Sequence, residues 1–146
     1  MTFKALLLAA LVAAPATAQT IRPDQAAFRE LYKELVETNT TLSSGSCTDA
    51  AAKLGARLKA AGFSDGDLTY YATAEKPKEG GLVAVLRGSD PKAKPMLLLA
   101  HIDVVEAKRE DWTRDPFVLI EENGNFYGRG TIDDKSQAAI FTDSMA

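Results

Sequence analysis

The stretch that decides the fold is MLLLAHIDVV, residues 96–105. Its continuous apolar start, residues 96–100, predicts a strand that is buried on both faces of a sheet. His101 and Asp103 follow this run two residues apart, so their side chains are expected to project to the same side. Open α/β sheets bind their ligands at the carboxyl ends of such strands, which favours a ligand or metal site here. The alternative is that His101, the only histidine, is a surface or hydrogen-bonded structural residue.

A second motif, YGRGTIDDK, covers residues 127–135. Its two glycines permit positive φ or a close approach of the backbone. The adjacent carboxylates Asp133 and Asp134 fall at a predicted helix start, where the helix dipole favours negative charge. The simplest structural interpretation is that Asp133 caps the helix and Asp134 fills its first turn. That interpretation leaves both the glycines and the pairing with His101 unexplained.

Around these motifs the chain alternates between helical and strand-like periodicity. Capping residues and Gly62 predict helix ends, and Asn123-Gly124 predicts a hairpin turn. The predicted elements are helices over residues 24–38, 48–61 and 134–146 and strands over residues 68–74, 82–87, 96–100, 117–121 and 125–127. This order predicts an α/β fold, either three-layered or a mixed sheet with helices on its faces.

The N-terminus is typical of an export signal. Lys4 precedes an apolar run over residues 5–14, and Ala-Thr-Ala at residues 16–18 fits a small-residue cleavage site. We therefore expect residues 1–18 to be a signal peptide and the protein to be periplasmic or secreted. The run is shorter than the roughly 20 residues that span a bilayer, so no membrane span is expected after cleavage. A buried N-terminal helix is the weaker alternative because the run has no polar face.

Charge and motif content exclude several classes of protein. The 17 basic and 20 acidic side chains are mixed without a Lys/Arg block, so no nucleic-acid partner is expected. Phosphate-binding, dinucleotide-binding and Gly-x-Ser-x-Gly signatures are missing from the sequence. The single cysteine, Cys47, cannot form an internal disulfide. Its Ser- and Gly-rich surroundings favour a structural residue over a catalytic thiol.

Segments 97–105, 112–117 and 127–135 together resemble the zinc peptidase family of clan MH, which includes carboxypeptidase G, acetylornithine deacetylase, succinyl-diaminopimelate desuccinylase and carnosinase. The resemblance implies a three-layer, zinc-exopeptidase-like α/β catalytic domain with a mixed sheet. It makes His101 a ligand of one zinc ion and Asp103 the catalytic-site carboxylate that orients this ligand. It makes Asp133 the carboxylate that bridges two zinc ions. In some relatives the peptide bond after the bridging aspartate is cis.

The function that this resemblance implies is hydrolysis of an amide bond by a water that two zinc ions activate. The enzyme would be an exopeptidase or an N-acyl amino-acid deacylase, acting on a peptide or an N-acyl amino acid. Cobalt or manganese are possible substitutes for zinc. The alternatives are a non-catalytic exported α/β binding module and an unstable fragment with an exposed sheet edge.

The sequence also departs from the family pattern. Ser136 stands where the family has glycine, and the family's glutamate pair, further carboxylate and second histidine would lie beyond Ala146. We therefore expect residues 19–146 to be the N-terminal portion of a catalytic domain, incomplete at its C-terminus and without the lid or dimerisation domain. A homodimer is then expected only with that domain. With two metal ligands, His101 and Asp133, this form is expected to bind metal weakly.

Overall fold

The computed structural model describes residues 20–146, so the predicted signal peptide lies outside the described residues. In the described residues two helices are followed by four short strands and a final helix, with 3-10 turns at Asp65–Asp67 and Arg109–Asp111. The elements are α1 (Pro23–Glu37), α2 (Cys47–Ala60), β1 (Leu68–Tyr71), β2 (Gly81–Ala84), β3 (Ile120–Glu122), β4 (Asn125–Tyr127) and α3 (Lys135–Met145). Mixed helices and small antiparallel sheets are compatible with the α/β class, whereas the three-layer arrangement stays a prediction. None of the helices in residues 20–146 is long and apolar enough to cross a membrane.

The core lies where α1 packs against α3, with α2 alongside. Leu35 and Val36 of α1 and Ala139 of α3 are at most 1% exposed, and Ala50 and Leu54 of α2 join the same cluster. Burying an aliphatic side chain of this kind stabilises a fold by about 1.5–3 kcal/mol. The packing fixes the first turn of α3, which follows the aspartate doublet, against α1.

The two hairpins are both antiparallel and separate from each other. β1 pairs with β2, and β3 pairs with β4 through the turn at Asn123 and Gly124, whose φ angles are 52° and 75°. Positive φ at both central residues is the requirement of a type I′ turn, so the predicted hairpin is confirmed. Phe126 packs edge-on against Tyr32 of α1 at 5.4 Å between ring centres, which docks the second hairpin onto the core.

The expectation of a strand over residues 96–100 buried on both faces is wrong for the described residues. The segment lies outside both sheets, and Leu97 and Leu99 are 82% and 78% exposed. A doubly buried strand needs neighbouring strands on its edges and layers on both faces. Among the described strands β2 pairs with β1 alone, so the segment has no ladder partner there.

The residues that follow, 100–104, nevertheless keep an alternating burial pattern. Ala100 and Ile102 pack against the core, while His101 and Asp103 are exposed. Alternation with a period of two directs the histidine and the aspartate to one open side, as their spacing predicts.

The turn before α3 makes close contact with the histidine segment at Gly130. Gly130 has a φ of +85°, and a Cβ atom placed on it would lie 2.8 Å from Val104 Cγ1 and 3.0 Å from Lys135 Cδ. Both the backbone conformation and the available space therefore require glycine.

Gly130→Ala is expected to lower the free energy of unfolding by about 2–5 kcal/mol, because positive φ costs about 1–2 kcal/mol and overpacking about 1–3 kcal/mol. Gly124→Ala is the matched control, since its φ is +75° and an added Cβ would meet no atom within 4 Å. Equilibrium urea denaturation measures both variants. Equal destabilisation by the two substitutions would contradict the close packing around Gly130.

Lys135 is the largest fully buried side chain and begins α3. Its Nζ donates a hydrogen bond of 2.7 Å to the carbonyl oxygen of Thr38, at the end of α1. Burial lowers the pKa of Lys135 to about 8. This bond ties the start of α3 to the loop that follows α1.

The pKa of Lys135 predicts a pH-dependent contribution to stability. Its usual value is 10.5, so between about pH 8 and 10.5 the unfolded chain binds more protons than the folded chain. The contribution of Lys135 to the free energy of unfolding therefore rises with pH across that window, by up to about 3 kcal/mol. Urea denaturation at both ends of the window should show this rise as a growing difference in the free energy of unfolding between the wild type and Lys135→Met, whereas the difference between the wild type and the surface control Lys92→Met should stay constant. A Lys135→Met variant that keeps the full rise would contradict the assignment.

Candidate metal centre

His101 and Asp133 meet in space although 32 residues separate them in sequence. The Nε2 atom of His101 lies 2.8 Å from Oδ1 of Asp133. Its Nδ1 atom lies 3.1 Å from Oδ1 of Asp103 and 3.2 Å from the carbonyl oxygen of the same residue. The three residues selected from the sequence thus lie together, with the imidazole between two carboxylates. The side chains of His101 and Asp133 are 51% and 85% exposed, so the group is open to solvent.

The loop after α1 holds the histidine segment in place. Thr40 Oγ1 donates a 2.7 Å hydrogen bond to the carbonyl oxygen of Ile102, and the Val104 amide donates to the Thr40 carbonyl oxygen at 3.2 Å. Thr41 and Val104 form an isolated parallel bridge. These bonds anchor the backbone of residues 102–104. His101 and Asp103 are both joined directly to the anchored Ile102.

The turn between β4 and α3 holds Asp133. Tyr32 Oη donates a 2.6 Å hydrogen bond to the Thr131 carbonyl oxygen, and burial raises the pKa of Tyr32 to about 12, so this hydroxyl stays a donor. The N-cap residue of α3 is Asp134, one residue later than the simplest structural interpretation expected. Asp133 precedes the helix, and its carboxylate is directed to His101 instead. The peptide bond between Asp133 and Asp134 is cis.

The protonation state of His101 follows from its two partners. Both ring nitrogens face carboxylate oxygens, which accept hydrogen bonds, so the surroundings favour the doubly protonated imidazolium over the neutral ring. Partial burial lowers the pKa of His101, but the hydrogen bond to Asp133, the backbone of Asp103 and the charges of both carboxylates together raise it above 6.5. The metal-free side chain is therefore more basic than an ordinary histidine.

The donor set fits part of a zinc site. An imidazole nitrogen and a carboxylate oxygen are zinc ligands, and a carboxylate on the other ring nitrogen is the usual partner of a metal-bound histidine. A catalytic zinc ion takes three protein ligands. Within residues 20–146, no group of three or more His, Cys, Asp or Glu side chains is arranged to hold a metal ion. His101 and Asp133 therefore account for two of the ligands that such a site needs.

A broad cleft of about 1060 Å³ borders His101 and Asp103. Its walls come from α2, β2, residues 97–104 and α3, and they include Asp134 and Cys47. Burial, with a smaller contribution from the charge of Asp103, raises the pKa of the Cys47 thiol. A raised pKa reduces the thiolate fraction at neutral pH, which supports the structural interpretation of this cysteine.

Sequence reasoning missed two residues that support the centre, Thr40 and Lys135. Thr40 lies in a polar loop with no pattern that sets it apart, and Lys135 was noted only as part of the aspartate motif. Their partners, Ile102 and Thr38, lie 62 and 97 residues away in sequence. No local signal could have identified these contacts.

Comparison with known proteins finds a family match over part of the chain. Residues 97–146 match the model of Peptidase family M20/M25/M40. The N-fatty-acyl-amino acid synthase/hydrolase PM20D1 of Homo sapiens is 35% identical over 129 residues, which are 87% of this chain and 26% of that protein. The same-named protein of Xenopus tropicalis is 53% identical over 51 residues, 35% of this chain and 10% of that protein. Acetylornithine deacetylase of Buchnera aphidicola (strain Tuc7) is 32% identical over 121 residues, 82% of this chain and 31% of that protein.

Residues 97–146 carry the family match, and the relatives PM20D1 and acetylornithine deacetylase agree with it, so the predicted resemblance is confirmed for this part of the chain. It spans about a quarter to a third of the length of PM20D1 from Homo sapiens and of the deacetylase. The family match includes His101, Asp103 and Asp133, since all three lie within residues 97–146.

In the metal-free chain, the single histidine should titrate with a pKa above 6.5, and Asp133→Asn should lower that pKa because it removes a charged hydrogen-bond acceptor. Proton NMR of the imidazole C–H signals measures this without ambiguity, since the chain has one histidine. Asp143→Asn, on the exposed C-terminal turn of α3, is the control and should leave the titration unchanged. A His101 midpoint that is equal in the wild type and Asp133→Asn would refute the contact.

Proposed function

We propose that this protein is a metal-dependent amidohydrolase, an exopeptidase or N-acyl amino-acid deacylase. His101 and Asp133 act as metal ligands in this proposal, and Asp103 positions His101. The observation that carries the proposal is the 2.8 Å contact between His101 Nε2 and Asp133 Oδ1, at a solvent-open site within the family match.

The contacts of His101 support a ligand role. Asp103 holds a proton at Nδ1, and this fixes the tautomer in which the Nε2 lone pair is available to a cation. When His101 is protonated, Nε2 donates to Asp133, so metal binding to that form releases a proton. Affinity for zinc should therefore rise with pH up to the titration of His101.

The position of Asp133 supports a bridging role. Its Oδ1 atom lies on the histidine side, and a carboxylate has a second oxygen that a second cation can use. When bound, a pair of zinc ions would supply a water of lowered pKa and polarise the scissile carbonyl group. In the proposed site, the bound ions are zinc, with cobalt or manganese as substitutes.

The relatives favour one class of substrate. The names of two of them refer to an N-fatty-acyl-amino acid and to acetylornithine, and both are amino acids that carry an acyl group. We propose an N-acyl amino acid or a short peptide as the substrate. We also propose export to the periplasm or the exterior, on the signal-like residues 1–18.

The experiment is hydrolysis of N-acyl amino acids and dipeptides by the protein at the full length that its gene encodes. The expected result is activity that a chelator removes and that added zinc restores. His101→Ala and Asp133→Ala should each lower kcat/KM by at least about a hundredfold. Each variant removes a proposed metal ligand, and with it the stabilisation of negative charge that the bound ion would supply. Asp143→Ala is the control, an exposed aspartate at the far end of α3.

Two outcomes would overturn the proposal. One is hydrolysis that a chelator leaves unchanged, and the other is full activity in either ligand variant. Specific, chelator-independent binding of a ligand without turnover would instead favour the non-catalytic binding module.

A further inference from the structure

One short loop contacts both segments that form the centre. Residues 38–41, Thr-Asn-Thr-Thr, are called here the threonine loop. The carbonyl oxygen of Thr38 accepts a bond from Lys135 Nζ, two residues after Asp133. The hydroxyl of Thr40 donates to the carbonyl oxygen of Ile102, the residue between the histidine and its orienting carboxylate. The loop therefore links the two segments whose side chains meet.

The Thr40 link is buried and well defined. Thr40 is 1% exposed, and its own carbonyl oxygen accepts a bond from the Val104 amide at 3.2 Å. A β-branched side chain has few accessible χ1 rotamers, so the direction of the Thr40 hydroxyl is restricted. The backbone on both sides of Asp103, at the Ile102 carbonyl oxygen and the Val104 amide, is thus held by one residue, through one side-chain bond and one backbone bond.

We propose that Thr40 is a positioning residue, whose buried hydroxyl fixes the Ile102 peptide and so directs the His101 ring between Asp103 and Asp133. This role rests on the proposed function, in which His101 binds metal. The orientation of the ring is nevertheless a property of the metal-free chain, so it can be measured without any assumption about activity.

The first experiment compares Thr40→Val, Thr40→Ser and Thr142→Val in the metal-free chain. Thr142 is a matched control, because it is also a buried threonine whose hydroxyl donates to a carbonyl oxygen, that of Ala138 at 2.8 Å. Thermal unfolding is expected to show similar loss of stability in the two valine variants. The ring C–H NMR signals of His101 should shift in Thr40→Val, stay in place in Thr142→Val, and return towards wild type in Thr40→Ser.

The second experiment measures the affinity of the same variants for zinc alone, by following the His101 signals during a zinc titration. Thr40→Val should bind zinc about tenfold more weakly or worse, which is the range for loss of a group that orients a metal ligand. Thr40→Ser and Thr142→Val should bind as the wild type does. Wild-type ring signals together with wild-type zinc affinity in Thr40→Val would overturn the positioning role.

The two proposals fail in different ways. If zinc leaves the His101 signals of the wild type unchanged, the proposed metal site fails, and the ring signals of the metal-free variants still decide the role of Thr40. If Thr40→Val does not fold, Thr40→Ala decides instead, because it also removes the hydroxyl that donates to the Ile102 carbonyl oxygen. A shift of the His101 signals in this variant supports the proposal, and unchanged signals overturn it.

Discussion

The contact between His101 Nε2 and Asp133 Oδ1, 2.8 Å long, is the interaction on which the account of this protein depends. It joins two segments that are 32 residues apart in sequence. Each segment is fixed by its backbone, through Ile102 on one side and Thr131 on the other. The exposed pair of side chains therefore has a buried, hydrogen-bonded support.

The position of the two side chains also depends on close packing of the backbone. This packing explains why a glycine, Gly130, lies three residues before the aspartate doublet. Gly130 lies against Val104 and Lys135, and its left-handed backbone brings the turn within contact of the histidine segment. Lys135 crosses the same space with its whole side chain buried and reaches the carbonyl oxygen of Thr38. Burying an amine is unfavourable unless it is hydrogen-bonded, so this bond is a strong constraint on where α3 begins.

Local structure was largely predictable from the sequence because local chemistry determines it. The Asn123-Gly124 turn needs positive φ at both positions, which this pair of residues readily adopts. The second helix, predicted from residue 48, begins at Cys47. The pairing of His101 with Asp103 also follows from a spacing of two. These features require no knowledge of distant parts of the chain.

The remaining features depend on contacts that sequence patterns do not encode. Residues 96–100 have the composition of a doubly buried strand, but burial requires neighbours, and in the described part of the chain residues 96–99 are exposed while Ala100 alone packs against the core. Thr40 and Lys135 look like an ordinary loop threonine and helix lysine. Their importance arises only from partners 62 and 97 residues away.

The most direct measurement is a crystal structure of the zinc-soaked protein with anomalous diffraction recorded at the zinc edge. The account predicts an anomalous peak bonded to both His101 Nε2 and Asp133, at the roughly 2.0–2.2 Å that zinc takes with nitrogen and oxygen ligands. Asp103 should remain hydrogen-bonded to Nδ1 in that structure. A zinc ion held by His101 without Asp133, or a peak elsewhere with this pair still in direct contact, would contradict it.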